Sequence, residues 1–568
     1  MKKVGMIIGI LSLIVILIGG GAGVWAYYAF LYTEPLSEAE LAELTPDWSA
    51  VTHGNWSPWI VEPDGTQTWN PAGSFNAWLE TVPEEDKAWP VLIETYYDCK
   101  DTVFENESYL EFSGTLPEHP QHWAIYKEFI ETHEVAQLCA KIKDASKRPI
   151  IGCELLGSID PYERAVMIER GIEIEENFFY DPNDESLFSR MNIPWFSKFR
   201  SFSNILRARA AYELELGNTD EYIELLETMD SFVSLNSVFP VLVSSLVDIA
   251  LHSNTQAVID WALSNHPDTF DESQLKRLDA IIESQMQYSI VWQGEELFFH
   301  DIIRRMCKDD GKTSLTKIAN EEFGGPACSL PIAELSADAQ RMLYVNHVSY
   351  EQAAILERVP WDQEAETVYA LFERERKHLN KFSDLFLDML MPSGDSSASH
   401  MRSFRQQAIA TRLAISIYRH RQRHGVFPDS IGTIDQDLLT FKPIDAFTAE
   451  PLKYTLKDSK LLIYSVGVDR NDDNGSPMLN HPLHDLEPKF KAMANFVQPT
   501  SEPEIARTPR WMNMGDAEWF NANEAFRIDG DWVLFPMPIF EPDPIQDVLD
   551  QDESNLADPT EDESFIDD

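Results

Sequence analysis

Apolar residues recur at helical spacing along most of the chain, most plainly between about 120 and 390. HWAIYKEFIETHEVAQLCAKIKDA reads as one amphipathic helix that stops near Pro149. SNILRARAAYELELGNTDEYIELLETMDSFVSL reads as a helical hairpin turning at Gly217-Asn218, with Asp220 as cap. VLVSSLVDIALHS is apolar on most sides, as expected of a helix packed on both faces. TQAVIDWALSN and SQLKRLDAIIESQMQY then follow as separate helices capped at Thr255 and Ser273. Short turns and small residues predict a tetratricopeptide-like or solenoid array of helical hairpins, without a strict repeat of about 34 residues.

The pattern changes near Gln406. In RQQAIATRLAISIYRHRQRHG, Ile409, Leu413 and Ile417 repeat every fourth position beside Ala410, Ala414 and Tyr418, which gives one broad apolar stripe. Gly425 is a C-terminal stop, Pro428 cannot continue the helix, and Asp429 or Ser430 caps a short second one. LKYTL and KLLIYSV are β-branched and aromatic around Lys457-Asp458-Ser459, a hairpin signature. The expectation is one long helix laid on a small antiparallel sheet that ends in an acidic loop. Arg402, Arg405, Arg412, Arg419, Arg421 and Arg423 line that helix, with no acid between Asp395 and Asp429. They are expected to pair with carboxylates of the same protein.

At the other end, Lys2 and Lys3 precede an uncharged run from Val4 to Thr33, and VGMIIGILSLIVILIGGGAGVWAYY is long enough to span a bilayer. The lysines orient it with the N-terminus inside, so the body is expected outside the cytoplasm. Trp25, Tyr27, Tyr28, Phe30 and Tyr32 form an aromatic belt that favours a retained anchor over cleavage at Gly20-Gly21-Ala22. The predicted organisation is a transmembrane anchor (1–33), a Trp-rich irregular segment (34–118), a helical body (119–392), an α+β module (400–540) and a disordered acidic tail (541–568). Trp48, Trp56, Trp59, Trp69, Trp78 and Trp89 in the second segment are expected to fill an irregular core. The alternative is a platform for carbohydrate or peptide.

Composition narrows the function classes. A formal net charge of −50 and a pI near 4.5 exclude nucleic acid as a partner, because phosphate contact needs clustered positive charge. Cys99, Cys139, Cys153, Cys307 and Cys328 show no C-x-x-C spacing. Cys139–Cys153 or Cys307–Cys328 bridges and plain buried thiols both remain open.

The sequence carries none of the common catalytic motifs. His133-Glu134 lacks the second histidine of H-E-x-x-H, and there is no G-x-S-x-G, Walker loop or G-x-G-x-x-G. Glu295, Glu296 and His300 lie on neighbouring helical turns and have the chemistry to bind a metal, but a packing histidine beside solvated glutamates is the expectation. The loop from Asp469 to Gly475 is the strongest candidate. Asp469, Asn471 and Asp473 place oxygen ligands at alternate positions, which suits calcium, although the EF-hand glycine and glutamate positions are Asn474 and Asn480.

The order of these elements resembles the C-terminal half of the major pseudopilin of type II secretion. The residues that carry the likeness are Pro443, Asp445, Phe447, Thr448, Pro451, Leu452 and Tyr454, then Tyr464, Ser465, Val466, Gly467 and Asp469. The resemblance implies a pseudopilin-like α+β fold and a calcium loop in which carboxylates and backbone carbonyls share the ion. The chain departs from a processed pilin subunit, since Gly5-Met6-Ile7-Ile8-Gly9-Ile10 lacks the glutamate of a prepilin start. Over its whole length, the order of anchor, VPEEDKAWPVL, hairpins, QGEELFFHDII, YSVGVDRNDDNG and GDWVLFPMP is similar to a family of large membrane-anchored bacterial proteins. That likeness implies architecture and no activity. The expectation is a non-enzymatic, single-pass envelope protein that acts through other envelope proteins, with secretion or pilus-type machinery as the setting. The alternative is a carbohydrate- or peptide-processing enzyme using carboxylates near the Trp-rich segment.

Overall fold

The computed structural model describes residues 33–43, 48–61, 64–117, 119–154, 160–172, 174, 195–238, 241–306, 335–360, 366–379, 384, 387, 394–457, 460–467, 470–476, 479–480, 504–505 and 532–536. The apolar run (Thr33 excepted), Cys307, Cys328 and the acidic tail lie outside them. Among the described residues no helix is long and apolar enough to cross a membrane. The fold is mainly helical with a small antiparallel sheet.

Local chemistry explains where helices stop. The run after His119 is two helices, Pro120–Ile130 and His133–Ala145. Between them Thr132 is extended and its hydroxyl bonds back to the Phe129 carbonyl, so its side chain competes with the helical ladder. Gly217, at φ +81°, turns the hairpin between helices Trp195–Glu215 and Thr219–Ser234. Asn218 occupies the cap position there, and Asp220 lies in the first turn, where its charge meets the helix dipole.

Leu242–Asn265 is a single helix where two were expected. Thr255, the expected cap, is fully buried, and its hydroxyl is 3.4 Å from the Leu251 carbonyl within the same helix. The next helix, Glu272–Met286, starts from Asp271 rather than Ser273, through a reciprocal capping box with Gln274.

The tryptophans fill a core. Strands β1 (Trp59–Val61) and β2 (Gln67–Trp69) pair antiparallel, with Trp59 opposite Trp69 and their rings edge to face at 5.1 Å. Trp89 is wholly buried. Cys99, Cys139 and Cys153 are free thiols, so no Cys139–Cys153 bridge forms.

The helix Gly394–His424, here the central helix, begins well before Gln406. Asp395 in its first turn accepts from the Val368 and Tyr369 amides at 2.8 and 3.0 Å. One side packs on Leu242–Asn265, Glu272–Met286 and Leu335–Leu356, and the other on the sheet. That sheet orders β3 (Lys453–Lys457), β4 (Lys460–Ser465) and β7 (Trp532–Phe535), all antiparallel. A two-residue pair, β5 (Leu479–Asn480) with β6 (Glu504–Ile505), stands apart. One continuous cluster of buried side chains runs from Val51 to Phe535.

Five of the six arginines of the central helix meet carboxylates of the same chain, and Arg402 is 3.4 Å from the Ser399 hydroxyl. Arg405 pairs with Glu357, Arg412 with Asp279 and Glu283, Arg419 with Glu272, Arg421 with Asp268, and Arg423 with Asp437. This is the pairing expected from a basic helix in an acidic chain.

Candidate functional site

Between the central helix and β3 the chain makes a tight turn around one carboxylate. Asp445 is 1% exposed and accepts hydrogen bonds from the Phe447 amide (2.8 Å), the Val466 amide (2.9 Å) and the Ser465 hydroxyl (3.0 Å). Burial pushes its pKa up, while these donors oppose the shift. From the helix, Gln406 donates to the Ile444 carbonyl and accepts from the Ala446 amide at 2.9 Å. Phe447 is fully buried behind the turn against Trp532. Asp445 thus joins the turn to the end of β4, and Gln406 ties the same turn to the helix through residues far apart in sequence.

The acidic loop follows β4 directly. Gly467 (φ +72°), Arg470 (φ +58°), Asn474 (φ +57°) and Gly475 (φ +77°) are all left-handed, which bends the loop back on the sheet. At φ +77° Gly475 holds a backbone conformation that favours glycine, and a Cβ there would push on the end of the Leu462 side chain at 2.3 Å. Asp472 turns towards the sheet, accepting from Tyr464 Oη at 3.0 Å and lying 3.6 Å from Lys453 Nζ. Asn471 and Asp473 come together, with Asn471 Nδ2 donating to Asp473 Oδ1 at 2.9 Å. Asp469, the first of the three expected ligands, lies outside the described residues. Asp473 Oδ2 is buried without a hydrogen-bond partner, which fits a carboxylate oxygen that a cation would occupy.

Glu295, Glu296 and His300 lie elsewhere, on the helix Trp292–Met306. The glutamates are not solvated, contrary to expectation. Glu295 accepts from the Leu242 amide at 3.1 Å and its pKa is raised by burial. Glu296 is 2.9 Å from His347 Nδ1, and this bond raises the histidine's pKa. Trp48 stands edge-on to His300, and Trp69 Nε1 donates to Asp301 at 3.0 Å. The structure therefore gathers Trp, His and carboxylates from distant segments, but His300 and Asp301 are 1% and 0% exposed. A substrate has no access to them in this state, so the cluster is a polar knot that ties the Trp-rich segment to the body.

Two groups went unread in the sequence. Asp248, His252, Gln256 and Asp260 stand four apart in the helix Leu242–Asn265. Asp260 accepts from Thr411 and Gln407 of the central helix, at 2.7 and 3.0 Å. Burial pushes Asp260 up to about 8 and Asp248 up to about 7, and pushes His252 down to about 3. The repeat of four was the available signal for a polar row facing another element. The second group, His420, His424 and Asp435, closes at the far end of the central helix.

With this geometry in place, known proteins offer a comparison. No protein-family model, curated protein or solved structure matches the chain. The functional reading rests on the residues themselves.

Proposed function

We propose that the protein is a non-enzymatic, single-pass envelope protein, held by residues 1–33, whose tetratricopeptide-like body and pseudopilin-like α+β module act outside the cytoplasm by associating with other envelope proteins. Secretion or pilus-type machinery is the setting the module suggests.

The observation that carries this reading is the way the chain emerges from the apolar run. Arg341, 3% exposed, donates to the Glu34 and Pro35 carbonyls, each at 3.0 Å, and pairs with Glu40 at 2.7 Å. The Glu34 amide donates to the His378 carbonyl at 2.9 Å. The Ser37 amide chiefly, with the Ser37 hydroxyl and Arg341, holds Glu40 down at about 2. The residues next to the apolar segment are therefore clamped to the helix Leu335–Leu356 rather than left as a linker. An anchor joined this way would present the body to the envelope in one fixed attitude, as a docking scaffold requires and a freely diffusing enzyme does not. The module likeness is supported by Asp445, Phe447, Ser465 and Val466, shared residues that meet in space as one hydrogen-bonded unit.

Calcium at Asp469, Asn471 and Asp473 belongs to the same proposal, and the full-length chain in detergent tests it. The ion would neutralise carboxylates that otherwise repel. By linkage it should stabilise the fold by roughly 2.7 kcal/mol at a hundred times its dissociation constant. The melting temperature should rise in calcium over chelator, and Asp469→Ala with Asp473→Ala should remove the difference. Equal melting of the parent chain in calcium and chelator would sink the calcium site. The association itself is tested in cells, as set out at the end of the Discussion.

A further inference from the structure

The geometry points to a divalent transition-metal site at the C-terminal end of the central helix, built from His420, His424 and Asp435 and suited to zinc(II) or a similar borderline cation. It does not depend on the proposed function and uses none of the residues of the acidic loop.

The local fold explains the convergence. Four residues apart on a helix, His420 and His424 share a face, and their ring centres are 4.4 Å apart. Gly425, at φ +77°, ends the helix. The chain then returns through Pro428 and the short 3-10 turn Ile431–Thr433, which Ser430 and Thr433 close reciprocally. Ile434 is buried in the main core, and this fixes Asp435 against the last helical turn.

One ligand atom from each of the three residues lies within 4.8 Å of the others. His424 Nε2 is 3.1 and 3.0 Å from the two Asp435 oxygens, and His420 Nδ1 is 3.7 Å from Asp435 Oδ1. Around a tetrahedral ion with bonds of about 2.0–2.1 Å, adjacent ligand atoms stand roughly 3.3 Å apart. The two histidine–Asp435 spacings bracket that value, and the His420 and His424 ligand atoms lie within 4.8 Å of each other, so rotation of the half-exposed His424 ring closes the set around an ion.

A second observation is independent of the spacing. His420 is 8% exposed, and its Nδ1 is buried without a hydrogen-bond partner. Buried ring nitrogens are rarely left so, and a metal bond would satisfy this one. The neighbouring cation does not compete for the site. Arg423 is 3.4 Å from Asp435 but is held more closely by Asp437 at 2.7 Å and by Glu272 at 3.2 Å. The carbonyl end of the helix also favours positive charge. Imidazole ligands select against calcium and magnesium, and three protein ligands leave a coordination position for water.

The test uses the full-length chain in detergent, stripped with chelator, and the parent is compared with His424→Gln and His420→Asn. His424 is the safer variant because its side chain is half exposed. Cobalt(II) should bind the parent with visible bands of a nitrogen- and oxygen-ligated tetrahedral ion, and zinc(II) but not calcium should displace it. Zinc should raise the melting temperature of the parent. In His424→Gln the cobalt bands should vanish and zinc affinity should fall at least about tenfold, while melting in chelator stays as in the parent. The same stoichiometry, affinity and zinc-dependent melting in the parent and His424→Gln would overturn the site, as would calcium displacing the cobalt.

Discussion

Arg405→Met should lower the unfolding free energy by roughly 3 kcal/mol, because it leaves a buried carboxylate with only the exposed Arg358, 3.7 Å away, as its cation. Glu357 is 1% exposed at the end of the helix Leu335–Leu356. Arg405 reaches it from the central helix at 3.3 Å and also donates to the Glu357 carbonyl (2.7 Å), the Tyr288 carbonyl (2.8 Å) and the Ser289 hydroxyl (2.8 Å). One guanidinium thus gathers three segments, and methionine matches its length without its charge. Urea unfolding followed by circular dichroism reads the loss. Glu357→Gln in the Arg405→Met background should recover part of it, since the stranded charge is gone. Arg423→Met is the contrast. Its side chain is 35% exposed, so breaking its pairs should cost under about 1 kcal/mol. Equal losses at Arg405 and Arg423 would show that burial does not govern these pairs.

Asp445→Ala should cost roughly 3–4 kcal/mol, since the Phe447 and Val466 amides and the Ser465 hydroxyl all lose their acceptor inside the fold. Ser465→Ala removes a single donor and should cost only about 1 kcal/mol. The damage should also be local. Amide exchange in β4 and β7 should speed up well before exchange in the helix Leu242–Asn265, because Asp445 joins the sheet to the turn and not to the body. A loss below about 1 kcal/mol in Asp445→Ala would mean that water replaces the carboxylate and that the shared motif is not a structural node.

These two residues show which parts of the molecule could be read from sequence. The central helix, its stop at Gly425, the Ser430 cap and the β3–β4 hairpin follow from spacing and turn chemistry, which act within a few residues. The hairpin at Gly217 followed for the same reason. The helix Leu242–Asn265 reads as two in the sequence because Thr255 resembles a cap when the partner helix is unknown. In the fold Thr255 is met within the helix, and Asp248 by Asn236 and Tyr288 outside it, so tertiary contact overrides local preference. Strand β7 was not placed in the sheet, because its pairing with β4 closes a long loop that no local signal specifies. The candidate sites divide similarly. Asn471 and Asp473 were visible as neighbours in sequence. Asp445 was visible only as part of a resemblance, and Asp435 joins His420 and His424 only after the turn has formed.

Cross-linking on intact cells tests the central claim most directly. An amine-reactive, membrane-impermeant reagent reaches only what lies outside the cytoplasm, and exposed lysines such as Lys147 offer it a handle on the body. The account predicts that full-length protein is cross-linked before any membrane is opened, through body lysines, to a small set of other envelope proteins identified by mass spectrometry. A chain lacking residues 1–33, secreted by a cleaved signal, should lose those links, because the clamp at Arg341 would no longer hold the body at the membrane. A body that reacts only after lysis, or that links to no other envelope protein when intact and anchored, would contradict the account.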